Sequence, residues 1–233
     1  MEQIRLSPRL RCIAELVPPG AALADVGTDH GLLPLHLLLS GTIVSAWASD
    51  IRPGPLSRAE QNRKKYGAET MRCVLCDGLT GVDPGSVDTV VIAGMGGETI
   101  TAILAASPWA YRDRTLILQP MTKPEILRAA LSEHVRIYAE RLVEDAGKLY
   151  AVLCARPGEP EALSEAELYI GSERLVTQNA LFPAAAGEWK AKLETALQGL
   201  ASSERDGAAD RRRHLETVYR QLKEMEERYA HRI

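Results

Sequence analysis

The stretch Ala24-Asp25-Val26-Gly27-Thr28-Asp29-His30-Gly31-Leu32-Leu33-Pro34 follows a short apolar run and precedes a leucine-rich segment. This order predicts a strand, a glycine loop and the start of a helix. Glycine lets the backbone take positive φ and pass close to a ligand, and two carboxylates bracket the turn. We therefore expect this loop to bind a nucleotide-like cofactor through Asp25, Gly27, Asp29, His30 and Gly31. An ordinary glycine turn of an α/β protein is the alternative for this motif by itself.

The spacing of the glycines favours a positively charged ligand. A dinucleotide site has three glycines in G-x-G-x-x-G, so that pyrophosphate rests on bare helix amides. Here only Gly27 and Gly31 are present, and Asp29 places in the turn a carboxylate that penalises an anion. S-adenosylmethionine carries a sulfonium and an ammonium, so we expect it as the cofactor. The missing middle glycine disfavours a nicotinamide dehydrogenase.

Three further strand ends carry residues suited to this cofactor. The run from Thr42 to Asp50 ends in an acid about 20 residues after the first loop, where a ribose diol is gripped. Asp77, after a third strand, can accept the exocyclic amine of adenine, although alone it reads as a plain Asp-Gly turn. The three glycines after the fourth strand suggest close backbone approach to a bound molecule at the reaction centre. The candidate cofactor contacts from these ends are Asp50, Ile51, Cys76, Asp77, Gly78, Ala93, Gly94 and Met95.

Strands and helices alternate along residues 1–158. We predict strands near 22–26, 43–50, 71–76, 88–93 and 115–119, and helices near 8–16, 31–40, 54–66, 97–106 and 124–133. This alternation indicates a doubly wound parallel α/β sheet. Two more strands, 135–142 and 148–155, are joined by five residues that cannot hold a crossover helix, so they must pair antiparallel. A seven-stranded, Rossmann-like sheet with one reversed edge strand is the architecture of class I methyltransferases.

The chain changes character beyond residue 158, and we predict a separate helical domain over 159–233. Two apolar stripes at helical spacing indicate an antiparallel, coiled-coil-like hairpin; their residues are Trp189, Leu193, Leu197 and Leu200, then Leu215, Val218, Leu222, Met225 and Tyr229. The joint 206–210 lets the chain turn back, and we expect Asp210 to cap the second helix. The hairpin is interpreted as an arm that contacts RNA through Arg211, Arg212 and Arg213. A dimer seam or a stabilising appendage is the alternative.

Composition restricts the class of protein. The 233 residues are 45% hydrophobic and 25% charged, which suffices for a full core. No apolar run reaches membrane-spanning length and the first residues lack a signal-peptide pattern, so we expect a cytoplasmic protein. The four cysteines are too scattered for a disulfide framework or a zinc site, and Cys73 and Cys76 should point to opposite faces of their strand, so we expect no metal. Because the net charge is only −3, RNA binding would depend on local basic patches.

These motifs together resemble the bacterial tRNA methyltransferases of the TrmK type, which modify adenosine 22 on its first ring nitrogen. The resemblance covers essentially the whole chain. It rests on residues 6–10, the loop 25–31, Ser49-Asp50, the turn 77–79, the loop 92–97 and residues 116–120. The Ala93-Gly94-Met95-Gly96-Gly97 segment is the most specific signature. Cys76 departs from the family, which more often has glycine there.

The resemblance implies S-adenosylmethionine-dependent methylation of tRNA. Asp29 is the candidate catalytic carboxylate, because it would stabilise the positive charge that develops on the adenine ring. Gly96 and Gly97 would border the flipped base, since the Watson–Crick edge is unreachable in a paired helix. Arg9 would hold the methionine carboxylate or an RNA phosphate, and Lys123 a phosphate. Another RNA position, a protein or a small molecule stays open as the substrate, as does a binding module without turnover.

Overall fold

The computed structural model describes residues 4–201 and 206–232. Its centre is a single sheet of seven strands. In chain order the strands are β1 (Ala21–Val26), β2 (Ile43–Asp50), β3 (Met71–Leu75), β4 (Thr89–Gly96), β5 (Thr115–Thr122), β6 (Arg136–Asp145) and β7 (Lys148–Arg156). Their spatial order is β3-β2-β1-β4-β5-β7-β6. The first five strands run parallel, and β7 pairs antiparallel with both β5 and β6. The predicted class I methyltransferase sheet is confirmed, except that the reversed strand is β7, which lies one position inside the edge strand β6.

Helices lie on both sides of the sheet and after it. In chain order they are α1 (Pro8–Leu16), α2 (Leu32–Leu39), α3 (Pro53–Lys65), α4 (Gly97–Ala106), α5 (Pro124–Leu131), α6 (Glu165–Ile170), α7 (Glu173–Val176), α8 (Phe182–Ala201) and α9 (Ala208–Ala230). Short 3₁₀ turns occur at Pro84–Ser86 and Pro108–Tyr111. No helix among residues 4–201 and 206–232 combines the length and the apolar character that crossing a membrane requires.

The hairpin between β6 and β7 is tighter than the sequence suggested. The ladder continues through Asp145, which pairs with Lys148, so Ala146 and Gly147 alone form the turn. Their φ angles are 51° and 72°, as a type I′ hairpin turn requires. The prediction of a five-residue joint was wrong, because Val143, Glu144 and Asp145 belong to β6 and pair with residues of β7.

The sheet is buried on both faces, as parallel sheets are. Helices α1, α2 and α3 cover one face, and α4 and α5 cover the other. Val90, Val91 and Ile92 of β4 are fully buried between these layers. The strand order reverses between β1 and β4, which leaves a crevice beyond their carboxyl ends. Every loop that the sequence singled out for the cofactor therefore meets at one edge of the sheet.

The two predicted apolar stripes form the seam between α8 and α9. Leu193, Leu215, Val218, Leu222 and Met225 are buried, and the remaining stripe residues pack around them. This cluster also takes in side chains of α6 and of the β6–β7 hairpin, so the helical region is packed against the sheet. The boundary at residue 158 stays a prediction.

The start of α9 differs from the prediction. Its N-cap is Gly207 with φ 77°, and no side chain caps the helix. Asp210 lies within the first turn, where it forms an ion pair with Arg213. The glycine takes the left-handed conformation that ends the joint, so the capping role assigned to Asp210 was wrong.

Candidate active site

Backbone and side-chain hydrogen bonds tie the loops after β1, β2 and β3 together. The amides of Gly27 and Thr28 both donate to the Ser49 carbonyl, at 2.8 and 3.0 Å. The Ser49 hydroxyl donates to the carbonyl of Gly78 at 3.0 Å, and the amide of Cys76 donates to the Asp50 carbonyl at 3.1 Å. Ser49 is buried, so these bonds are shielded from water. The three loops form one continuous wall.

This wall encloses a cleft of about 330 Å³ at the switch point of the sheet. Nine of the predicted cofactor contacts line it: Gly27, Asp50, Ile51, Cys76, Asp77, Gly78, Ala93, Gly94 and Met95. The sequence analysis missed five other lining residues, which are Val26, Ser49, Arg52, Thr99 and Ile103. Thr99 and Ile103 belong to α4, and only the folded structure brings that helix over the strand ends.

The chemistry of the cleft fits S-adenosylmethionine. Asp50 is 4% exposed, and its Oδ1 accepts the amide hydrogen of Arg52 at 2.8 Å. Its Oδ2 accepts no hydrogen bond from any described residue. This nearly buried oxygen is therefore available to accept a hydrogen bond from a ribose hydroxyl. Gly78 has φ 57°, and an added Cβ would come within 2.8 Å of Ile103. Packing against Ile103, which also lines the cleft, therefore explains this glycine.

Glycine is required at positions 27 and 31 of the first loop for two different reasons. Gly27 has φ 72° and lies against the Met95 side chain, which an added Cβ would overlap. Gly31 does not line the cleft, and an added Cβ would come within 2.8 Å of Met71 and 3.2 Å of Ala59. Packing against α3 and β3 therefore explains Gly31 without a ligand.

Asp25 is buried at the end of β1 and does not line the cleft. The Thr28 hydroxyl donates to its Oδ2 at 2.6 Å. Burial raises the pKa of Asp25 to about 6, and the neighbouring carboxylate of Asp50 adds to the rise. The Asp25 carboxylate therefore stabilises the loop after β1 through its hydrogen bond with Thr28. Its direct contact with the cofactor stays a prediction.

Asp29 and His30 lie on the outside of the loop. The Asp29 side chain is 66% exposed, and its Oδ1 lies 3.6 Å from His30 Nε2. Asp29 has φ 49°, a left-handed conformation that aspartate tolerates better than most residues. The His30 ring lies 3.1 Å from Arg58, and its carbonyl accepts from Asn62 at 2.9 Å. Neither Asp29 nor His30 lines the cleft, and both side chains are partly open to solvent.

Arg9 of α1 reaches the carboxyl-terminal part of β4, which the structure extends through the predicted glycine loop to Gly96. Its Nη1 donates to Gln119 Oε1 at 2.6 Å, and its Nε lies 3.8 Å from Asp145 Oδ2. The Gly94 amide donates to the same Gln119 oxygen at 3.1 Å. The sequence analysis did not single out Gln119. An amide inside an otherwise apolar buried strand was the signal for it.

The predicted substrate contacts near α4 are spread over two elements. Gly96, at the end of β4, faces the Thr122 hydroxyl, 3.2 Å from an added Cβ. Gly97 is buried, and an added Cβ would overlap the Lys123 carbonyl, so packing alone requires a glycine there. Lys123 Nζ donates to Glu98 at 2.6 Å on the surface.

The three arginines of α9 are exposed at the start of that helix. Arg212 pairs with Glu216 at 2.8 Å, and Arg213 pairs with Asp210. These are surface pairs within one helix, which cost little to break. The structure does not bring the arginines into the cleft.

A second cavity of about 210 Å³ lies between the end of β5, the β6–β7 hairpin and α8. Tyr150, Tyr169 and Trp189 line it together with Lys123 and Lys192. Sequence reasoning missed this cavity, because its walls come from segments that are far apart in the chain. It places aromatic and basic groups beside the end of β5, which is the strand next to β4.

Comparison with known proteins gives the family. A model described as "Methyltransferase domain" matches residues 6–153. The tRNA (adenine(22)-N(1))-methyltransferase of Bacillus subtilis is 34% identical over 190 residues, which cover 78% of this chain and 80% of that protein. The chain belongs to the TrmK family. The crystal structure of the B. subtilis TrmK is 29% identical with a TM-score of 0.85, and the match covers 95% of this chain and 99% of that one.

A second TrmK-family structure carries the cofactor. It is a candidate tRNA (m1A22) methyltransferase from Streptococcus pneumoniae in complex with S-adenosyl-L-methionine. It is 31% identical with a TM-score of 0.82, and the match covers 95% of this chain and 99% of that one. The match extends through nearly the whole TrmK chain described here, so it includes the C-terminal helices as well as the sheet.

Proposed function

We propose that this protein transfers a methyl group from S-adenosylmethionine to the first ring nitrogen of adenosine 22 in tRNA. The observation that carries the proposal is the cleft at the switch point, where Asp50 and Asp77 end neighbouring strands beside the glycines of two loops. Membership of the TrmK family supports the reaction and the tRNA substrate. From this substrate we infer a cytoplasmic location.

The cofactor side of the cleft uses acids and backbone. Asp50 would accept the ribose hydroxyls and Asp77 the exocyclic amine of adenine, with Ile51 against the ring. Gly27 and Gly94 bring backbone close to the amino-acid tail, and Arg9 would pair with its carboxylate. When bound, S-adenosylmethionine supplies the electrophilic methyl group.

The acceptor needs positioning more than base catalysis. The first ring nitrogen of adenine already carries a lone pair, so in-line placement is the main requirement. Its Watson–Crick edge must leave the helix, and the segment 94–97 would border the flipped base. The exposed carboxylate of Asp29 would stabilise the cationic product ring. Its 66% exposure keeps it available to RNA.

The helical region would hold the rest of the tRNA. The second cavity joins α8 to the end of β5 and offers aromatic side chains and lysines, which suit unpaired nucleotides. Lys123, Arg212 and Arg213 would exchange their present surface glutamate and aspartate partners for phosphates, and Arg211 would bind a phosphate beside them.

Incubation of the protein with unmodified tRNA and methyl-labelled S-adenosylmethionine tests this function. We expect label in N1-methyladenosine at position 22, and none in a tRNA in which that adenosine is replaced by guanosine. Label at another nucleotide would identify a different RNA methyltransferase. Cofactor and tRNA binding without any label would favour a binding module.

A further inference from the structure

We propose that Gln119 is a positioning residue that holds Arg9, and the backbone at Gly94, in place for the amino-acid tail of the cofactor. The inference rests on the proposed function, because it concerns the same cleft. Gln119 lies within β5, three residues before the end of the strand, is fully buried and does not line the cleft. It therefore acts through the two groups that it holds.

A bulge in β4 is what brings Gly94 to this side chain. Ala93 pairs with Gln119 and Met95 pairs with Pro120, so Gly94 has no partner in the β4–β5 ladder. Its φ of 79° lies in the left-handed region. Its amide donates to Gln119 Oε1 instead, at 3.1 Å. Bulges re-aim groups beside active sites, and here the side chain replaces the missing ladder acceptor.

The Gln119 amide has only one workable orientation. Oε1 accepts from Arg9 and from Gly94, while Nε2 donates to the Pro120 carbonyl at 2.8 Å and approaches the Met121 sulfur at 3.7 Å. A flipped amide would set its hydrogens against those of Arg9 and Gly94, and would leave the Pro120 carbonyl facing an oxygen. The acceptor is thus fixed before any ligand arrives.

These contacts hold Arg9 in place but use only some of its hydrogen-bond donors. Gln119 takes one of its five N–H donors, and Asp145 lies 3.8 Å from Nε. The Nη2 donors have no hydrogen-bond acceptor among the described residues. The Arg9 side chain is 21% exposed, and its Nη1 lies beside Gly94, a residue of the cleft wall. Gln119 anchors the cation without adding a counter-charge, and the Asp145 carboxylate lies on the Nε side, so the Nη2 side stays open for the carboxylate of the cofactor.

The test compares two ligands that differ in the tail. S-adenosylhomocysteine keeps the amino acid, whereas 5′-methylthioadenosine lacks it. We expect Gln119→Met to weaken S-adenosylhomocysteine at least tenfold by calorimetry and to change methylthioadenosine less than twofold. Arg9→Met should show the same selectivity, and the double variant should lose less than the sum of the two single losses, because Gln119 acts in part through Arg9.

Other outcomes overturn the proposal. Equal weakening of both ligands would mean general damage to the fold, and additive losses would mean that Arg9 and Gln119 act separately. If Gln119→Met does not fold, Gln119→Glu carries the test: its charge would neutralise Arg9, so S-adenosylhomocysteine must weaken while methylthioadenosine does not. A wild-type protein that binds neither ligand would refute the proposed function instead.

Discussion

Arg128 of α5 and Glu140 of β6 form a two-pronged ion pair that is sealed from solvent. Their side chains are 0% and 1% exposed, with Nε–Oε1 at 3.1 Å and Nη2–Oε2 at 3.3 Å. Arg128 Nη1 also donates to the carbonyls of Leu168 and Tyr169, at 2.8 and 2.9 Å. The Arg128 guanidinium thus connects α5, which packs on one face of the sheet, with the edge strand β6 and the last turn of α6.

Removing one member of this pair should be costly. Arg128→Met leaves the Glu140 charge buried and two carbonyls unpaired, so we expect the free energy of unfolding to fall by about 3–5 kcal/mol. Urea denaturation followed by circular dichroism measures it. Arg141→Met is the matched control, because its pair with Glu15 is 49% and 58% exposed and should contribute no more than about 1 kcal/mol. Similar losses in the two variants would contradict the assigned role.

Gly171 should tolerate no side chain. Its φ is 118°, and an added Cβ would overlap Glu140 Oε2. We expect Gly171→Ala to lower the melting temperature and to destabilise the fold by at least about 2 kcal/mol. Gly187→Ala in α8 is the opposite case, because nothing lies within 4 Å of its added Cβ and alanine favours a helix, so it should stabilise by about 0.5–1 kcal/mol. A harmless Gly171→Ala would show that the ion pair can move.

Asp25 should make stability fall as pH rises. Its pKa is about 6 in the folded protein and 3.8 in the reference state, so the folded state binds more protons between these values. The free energy of unfolding contributed by Asp25 is therefore largest below pH 4 and decreases by about 3 kcal/mol toward pH 7. Denaturation at pH 4 to 7 should show this slope in the wild type and not in Asp25→Asn. The same slope in both would remove Asp25 as its source.

Asp29 should matter for chemistry and not for folding. With an exposed side chain and no buried partner, Asp29→Ala should keep the melting temperature within a few degrees. Single-turnover methyl transfer should fall at least about tenfold, roughly 1.4 kcal/mol of barrier. Asp113→Ala is the control, since Asp113 is also exposed with a positive φ of 52° but precedes β5 at the opposite edge of the sheet. A fully active Asp29 variant would exclude this residue from the mechanism.

The arginines at the start of α9 should act on tRNA alone. Replacing Arg211, Arg212 and Arg213 by alanine should weaken tRNA binding at least tenfold at low salt and reduce its salt dependence. Cofactor affinity should not change. Arg220→Ala, further along the same helix and likewise paired and exposed, is the control. Unchanged tRNA affinity in the triple variant would defeat the arm hypothesis and favour a packing role.

The features that could be predicted from the sequence are those that short, local residue patterns determine. Glycines and acids at strand ends gave the position of the cleft, and apolar spacing gave the seam of α8 and α9. The contacts that depend on distant segments escaped it. Gln119 matters because a bulge in another strand exposes the amide of Gly94, and Arg128 looks like any surface arginine of an amphipathic helix until α6 folds over it.

Short helices and exact turns also escaped prediction. The capping box between Ser164 and Glu167 starts α6, but the helix has only six residues and no periodic stripe. Gly31 and Gly97 look like ligand glycines in the sequence, and the structure explains both by packing. A glycine motif reports close approach without telling whether the neighbour is a ligand or the protein itself.

The reach of Arg128 to the carbonyls of Leu168 and Tyr169 limits how this enzyme can be re-engineered. A chimera that exchanges residues 159–233 would pair the native Arg128 guanidinium with carbonyls from another protein. A truncation at residue 158 would remove these carbonyls and expose the guanidinium to water. Swaps among relatives must transplant Arg128, Glu140, Gly171 and α6 as one block. Recognition of new RNAs is better sought by altering α8 and α9 beyond that block.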